Sequence, residues 1–322
     1  MQIQVLDNRT KSRSSTKSRI TTATHTTTAI ALFTLLITLT IAGCKFGLQE
    51  AFYRSNGVNE RSSELSTITL PPNVTSTIST QSGKYNFMIL TDVHYGAGYD
   101  VPETQILNWI DSFNATTQSM QKKPLFCIVL GDIAETGNRE EFAAFNSFQD
   151  KIEAKGIPVY CIVGNHDLLN SGWKYWKTSC NPGTSFYKFS TSTLSFYFTD
   201  TGSGTMGTKQ LSALENAFES DNNRKLVFTH YALYGGGAGL PLFCIGNDKE
   251  RGRIIDLCAR NNVKYTFEGH YHPGGEYDFG NFKELVATSL KQGKWYLVSI
   301  DETTGNSANP VTKVEEIDLN SF

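Results

Sequence analysis

What the sequence lacks narrows the field first. It has no basic surplus: the formal net charge of its 322 residues is -2. A generic nucleic-acid binder is usually basic, so no nucleic acid is expected as a partner. It has no apolar run of the roughly 20 residues that a membrane span needs; its strongly apolar N-terminal stretch, AIALFTLLITLTIAGC at 29–44, is shorter. It lacks both the apolar poverty of a disordered chain and the apolar excess of a polytopic membrane protein, with 39% hydrophobic and 19% charged residues. It shows no internal repeat and no second domain signal, so one large domain is expected. It has no cysteine beside any of its histidine or aspartate motifs, which argues against a thiolate-rich structural zinc site.

Charge is unevenly spread. Residues 1–28 hold five of the 29 basic residues (Arg9, Lys11, Arg13, Lys17 and Arg19) and one of the 31 acids, Asp7. The body is therefore mildly acidic. The basic tail, the apolar stretch and the small residues before Cys44 have the order of an export signal. Ile41-Ala-Gly-Cys44 resembles the lipobox of bacterial lipoprotein signals, which implies cleavage before Cys44 and lipidation of it. An uncleaved signal anchor and a cleaved soluble form are the other readings. An exported location is expected, membrane-anchored on the extracytoplasmic side, and the membrane is a partner only through this N-terminal anchor. The expected domains are a signal or anchor at 1–43, a flexible Ser/Thr-rich tether at 44–83 and a folded body at 84–322.

Within the body, YNFMILTD (85–92), LFCIVLGD (125–132) and YCIVGNHD (160–167) are apolar runs, each ending in an acid. Helical spacing separates them: Ile106, Leu107, Ile110 and Phe113 in the first connection, and 139–156 with Gly156 as its stop in the second. Alternating strands and helices predict parallel strands in a layered α/β fold, and continuous apolar runs predict strands buried on both faces. A hairpin is expected over 185–200, then a helix near 209–219, a strand at 225–230, a helix at 249–262 and a strand at 263–270. The remaining C-terminal strands read as antiparallel.

The chemistry lies at the strand ends. Asp92 and His94 follow the first run, Asp132 the second, and Asn165, His166 and Asp167 the third. His230 follows the fourth run, and His270 and His272 the fifth. In open α/β sheets ligands bind beyond the carboxyl ends of the strands. The chain has six histidines; apart from His25 in the N-terminal tail, all sit at these ends. A lone histidine is more often structural. Five of them with three aspartates and an asparagine predict a metal site. Nitrogen and carboxylate oxygen suit Mn, Fe or Zn. Asp132 is the expected bridge between two cations through its two oxygens, and Gly164 is expected to free the chain to turn.

The blocks TDVH, LGDIAE, GNHD, FTHY and GHYH, in this order over roughly residues 85–300, resemble the five blocks of the calcineurin-like metallophosphoesterases. The resemblance implies two mixed β-sheets packed as a sandwich and flanked by helices, a four-layer fold. It implies one metal held by Asp92, His94, Asp132 and His272, and a second by Asp132, Asn165, His230 and His270. His166 becomes the catalytic histidine, with Asp167 orienting it. Two transition-metal ions about 3.5–4 Å apart clamp the oxygens of an in-line displacement at phosphorus and make hydroxide available at neutral pH. The expected substrate is a small phosphate mono- or diester, a nucleotide among the candidates. The competing class is a non-catalytic binding module on the same fold, which would have shed ligands. The glycines of YALYGGGAGLP (231–241) predict a mobile loop at the cleft. Tyr95, Tyr231 and Tyr271 adjoin motifs and stand either as stacking surfaces or as packing. A Cys180–Cys244 disulfide and the oligomeric state stay open.

Overall fold

A computed structural model describes residues 57–237 and 242–321. The signal segment 1–43 and the first part of the expected tether, to residue 56, lie outside the described residues. Among the described residues no helix is long and apolar enough to cross a membrane.

The strands are β1 Ser66–Thr67, β2 Lys84–Leu90, β3 Pro124–Val129, β4 Val159–Cys161, β5 Tyr187–Ser190, β6 Leu194–Phe198, β7 Arg224–Phe228, β8 Val263–Glu268, β9 Gly275–Asp278, β10 Lys283–Val286, β11 Lys294–Asp301 and β12 Val311–Asp318. They form two mixed sheets, ordered β1-β5-β6-β7-β8-β10-β9 and β12-β11-β2-β3-β4. The strands β2, β3 and β4 run parallel, as do β6, β7 and β8.

The apolar runs are continuous because each sheet is covered twice. In β2, Phe87 and Ile89 point into the space between the sheets, against Phe126, Phe196, Phe228 and Phe267. Met88 and Leu90 face the other way, into a layer with Phe142, Phe145 and Phe148 of the helix Arg139–Glu153. The outer face of the larger sheet packs on the helices Thr208–Ser220 and Asp248–Arg260 through Leu214, Phe218, Ile254 and Leu257. The result is helix, sheet, sheet, helix, as expected. Gly156 does end the second connecting helix, in a left-handed turn with φ of 80°.

Two expectations need correction, and one open question is answered. The segment 57–83 is folded. It forms a short helix Val58–Arg61, the edge strand β1 on β5, and the helix Pro72–Thr80, whose Val74 and Ile78 enter the inter-sheet core. Its Ser/Thr-rich composition hid these few anchoring residues. The C-terminal strands are not all antiparallel: β10 turns back on β9 but pairs with β8 in parallel. Cys180 and Cys244 are free and buried in different clusters, Cys180 with Trp173 and Trp176, Cys244 with Ala232 and Val286.

Candidate metal centre

The parallel strands β2, β3, β4, β7 and β8 bring their C-terminal ends to one place, and each turn after them is tight. Asp92, His94, Asp132 and His270 all have left-handed backbone, with φ of 49–63°. Non-glycine residues seldom hold this conformation, and such strain gathers at functional sites. The turns also lie against each other. A Cβ on Gly164 would lie 2.2 Å from the Asp132 nitrogen, and one on Gly131 2.7 Å from the Gly164 nitrogen. Gly164 is thus required by the close approach of two strand ends.

Three groups of ligand-type atoms each span no more than 4.8 Å, one of them His94 with Glu135 and His166; the two that hold aspartates are Asp92 with His94 and His272, and Asp132 with His230 and His270. Asp132 connects them. Its Oδ2 lies 3.4 Å from His230 Nε2 and 3.8 Å from His94 Nε2, while its Oδ1 accepts the His166 backbone N–H at 2.8 Å. A single oxygen faces both groups, where the sequence reading used both oxygens. Asn165 Oδ1 is 3.0 Å from His230 Nε2. Asp92 Oδ1 is 3.4 Å from His272 Nε2 and, though buried, has no hydrogen-bond donor.

Three imidazoles are fixed through one ring nitrogen, which leaves the other to face the centre. His230 Nδ1 meets the Leu130 carbonyl at 2.7 Å, His166 Nδ1 the Glu135 carbonyl at 2.6 Å, and His270 Nε2 the Leu242 carbonyl at 2.6 Å. His94 Nδ1 lies 2.8 Å from Glu135 Oε2. Glu135 sits in the quoted LGDIAE block, yet it carried no expectation. Its carbonyl holds the His166 ring, and its carboxylate lies against His94.

Asp167 does a different job from the one the resemblance implies. Its Oδ1 accepts from the Ile133 and Ala134 backbone nitrogens at 2.9 Å, and its Oδ2 from Gly164 at 2.8 Å. It pins two strand-end loops together, and the His166 ring is oriented by Glu135.

The protein's own charges act strongly on one another here. Burial alone would lower the His230 pKa, but the Asp132 carboxylate outweighs it and lifts the value to about 9. Burial alone would raise Asp132; His230 is the main group holding it well below the usual carboxylate range. Burial, then the neighbouring Asp132, pushes Asp167 up to about 7. Burial and the charge of His230 bring His270 down to about 4. Carboxylate oxygens and imidazole nitrogens converge here without enough protein donors between them. This donor set suits first-row transition metals, and the residues fit such ions.

The fold and the clustered metal-type ligands are those of the phosphoesterases. The sequence matches the calcineurin-like phosphoesterase family over residues 85–274, and the chain belongs to that family. A protein of Fibrobacter succinogenes named as a probable cyclic nucleotide phosphodiesterase is 28% identical over 188 residues, covering 57% of this chain and 71% of the relative. One of the same name from Xenorhabdus bovienii is 24% identical over 214 residues, covering 62% and 84%. A dimetal phosphatase from Danio rerio superimposes with a TM-score of 0.54 at 16% identity, over 68% of this chain and 93% of the other; this supports the fold.

Proposed function

We propose that the protein is a metal-dependent phosphodiesterase acting on small phosphate diesters at a pair of transition-metal ions. The observation that carries this reading is Asp132 Oδ2, which faces the Asp92/His94/His272 group and the His230/His270 group at once. The preference for a diester rests on the names of the relatives. Asp92, His94, Asp132 and His272 hold one ion, and Asp132, Asn165, His230 and His270 the other. Bound there, the ions supply Lewis-acid charge for the phosphoryl oxygens and make water acidic enough to act at neutral pH.

The protein's own groups do the rest. The Glu135 carbonyl accepts a hydrogen bond from the Nδ1–H of His166 and so points Nε2 away from it, free to steady the charge developing on phosphorus or to protonate the leaving oxygen. Asp167 keeps the loops of Asp132 and His166 in register. The N-terminal signal favours an exported protein, anchored either through lipid on Cys44 or through an uncleaved signal.

The test is turnover of a panel of phosphate mono- and diesters by the purified chain, supplied in turn with Mn, Fe, Zn and Ni. Diester hydrolysis that stops with chelator and returns with metal is the expected result. Turnover unchanged after complete metal removal, or no turnover with any ion, overturns it.

A further inference from the structure

Three tyrosines adjoin the motifs, and the structure separates them. Tyr95 is 8% exposed and donates its hydroxyl to Glu103 Oε1 at 2.8 Å. Tyr231 is 1% exposed, its ring centroid 4.0 Å from that of His270. Both are part of the fold. Tyr271 is half-buried, lies between His270 and His272, and its hydroxyl makes no hydrogen bond among the described residues. Phe243, also half-buried, meets Tyr271 edge to face at 5.1 Å and lies 6.0 Å from the His270 ring. Leu242 beside them is 60% exposed. Lysine or arginine stacks on aromatic rings at four other places among the described residues, but on neither of these two.

Two aromatic rings thus stand part-exposed at the rim of a buried polar cluster, Tyr271 resting on Ala232, Cys244 and Val286. We infer that Phe243 and Tyr271 form a stacking wall for a planar aromatic base on the substrate, so that the site takes nucleotides. This rests on the phosphoesterase reading of the same site: a phosphate held at the His230/His270 group would lie near these rings, Phe243 being 6.0 Å from the His270 ring. Stacking tolerates any base, because each presents a π face; an apolar wall with one free hydroxyl predicts a preference for bases as a class over non-aromatic esters. Recognition of one particular base would need further polar contacts.

The experiment compares the metal-loaded protein's affinity for AMP and for ribose 5-phosphate, which share sugar and phosphate and differ only in the base. AMP is expected to bind about tenfold more tightly, in keeping with the usual worth of one stacked base. Phe243→Leu keeps bulk and removes the ring, and Tyr271→Ala removes the other ring. Each should cut the AMP preference several-fold, and the double variant should erase it while ribose 5-phosphate still binds; Tyr271→Phe should keep it. Equal affinity of the wild type for the two ligands overturns the wall, as does an AMP preference that survives in the double variant. Failure of the phosphodiesterase reading shows separately, as absence of diester turnover in a protein that still prefers AMP.

Discussion

Arg61 and Asp200 are as buried as His230 and Asp132, with side chains no more than 2% exposed in either pair, yet the two clusters are finished in opposite ways. Arg61 Nε and Nη2 donate to the two Asp200 oxygens at 2.9 Å, and Ser62 and the Gly202 nitrogen donate to the same carboxylate. Gln210 closes the surround by bonding Asp200 nitrogen and carbonyl. Charge is balanced one to one, and each donor has an acceptor. At the strand ends, carboxylates and imidazoles point at each other in strained backbone, and Asp92 Oδ1 has no donor. The closed cluster is complete as protein; the open one has the form of a binding site. The two adjoin, since Thr201, next to Asp200, accepts the backbone N–H groups of His230 and Tyr231.

The sharpest way to break the contrast is Asp132→Asn, which leaves the shape and halves the donor capacity facing the two groups. Metal content by elemental analysis should fall to one ion or none, and turnover should drop by about 10³-fold or more, the scale of the Lewis-acid contribution. Two ions with normal turnover would remove Asp132 from its role. His166→Ala should retain both ions and lose about 10²–10⁴-fold in kcat and kcat/KM together, with a smaller loss for esters whose leaving group needs no proton. An emptied metal site, or kcat within about twofold of wild type, contradicts that assignment.

In the closed cluster, Arg61→Met strands a buried carboxylate and should cost about 3–5 kcal/mol. For a domain of this size that is a fall in Tm of roughly 6–20 °C, read by calorimetry. Adding Asp200→Asn should recover part of the loss, because no charge then stays buried. A chain cut at residue 84 should be damaged in the same way. An unaltered Tm for Arg61→Met shows that the cluster is not a brace.

The smallest effect is a matter of protons. His230 has its pKa raised to about 9 by Asp132 despite burial, and a metal ligand must be neutral. Metal uptake at pH 7 should therefore expel a proton from His230, and apparent affinity should climb with pH until about 9. Calorimetric titration in buffers of different ionisation heat measures this; uptake without proton release contradicts it. In the metal-free protein the sign is the reverse: a raised histidine pKa adds stability fully below the unfolded value near 6.5, and this is lost as pH rises through about 9.

The open cluster was far more legible in the sequence than the closed one. Asp92, His94, Asp132, Asn165, His230, His270 and His272 each end an apolar run, and runs of that kind announce parallel strands whose ends meet. The parallel strands and their connecting helices followed from the same pattern, whereas the two-sheet, four-layer arrangement was what the family resemblance implied. What escaped were the atoms with no side-chain signature. The carbonyls of Leu130, Glu135 and Leu242 fix three imidazoles, and any residue has a carbonyl. Arg61 and Asp200 are 139 positions apart, so no local periodicity links them, and the composition around Arg61 resembles a linker. Asp167 was visible as a residue but not in its task, which depends on three backbone nitrogens that meet only in the folded chain.

The left-handed turns at Asp92, His94, Asp132 and His270 carry a consequence for anyone who would make this protein sturdier. Glycine adopts that conformation without steric penalty, whereas a side chain there costs on the order of 1–2 kcal/mol. Replacing these four residues would relax the scaffold and destroy what it holds. Robustness and usefulness are opposed at the same four positions, so a search for hardier variants that scores only thermal resistance will drift toward inert ones.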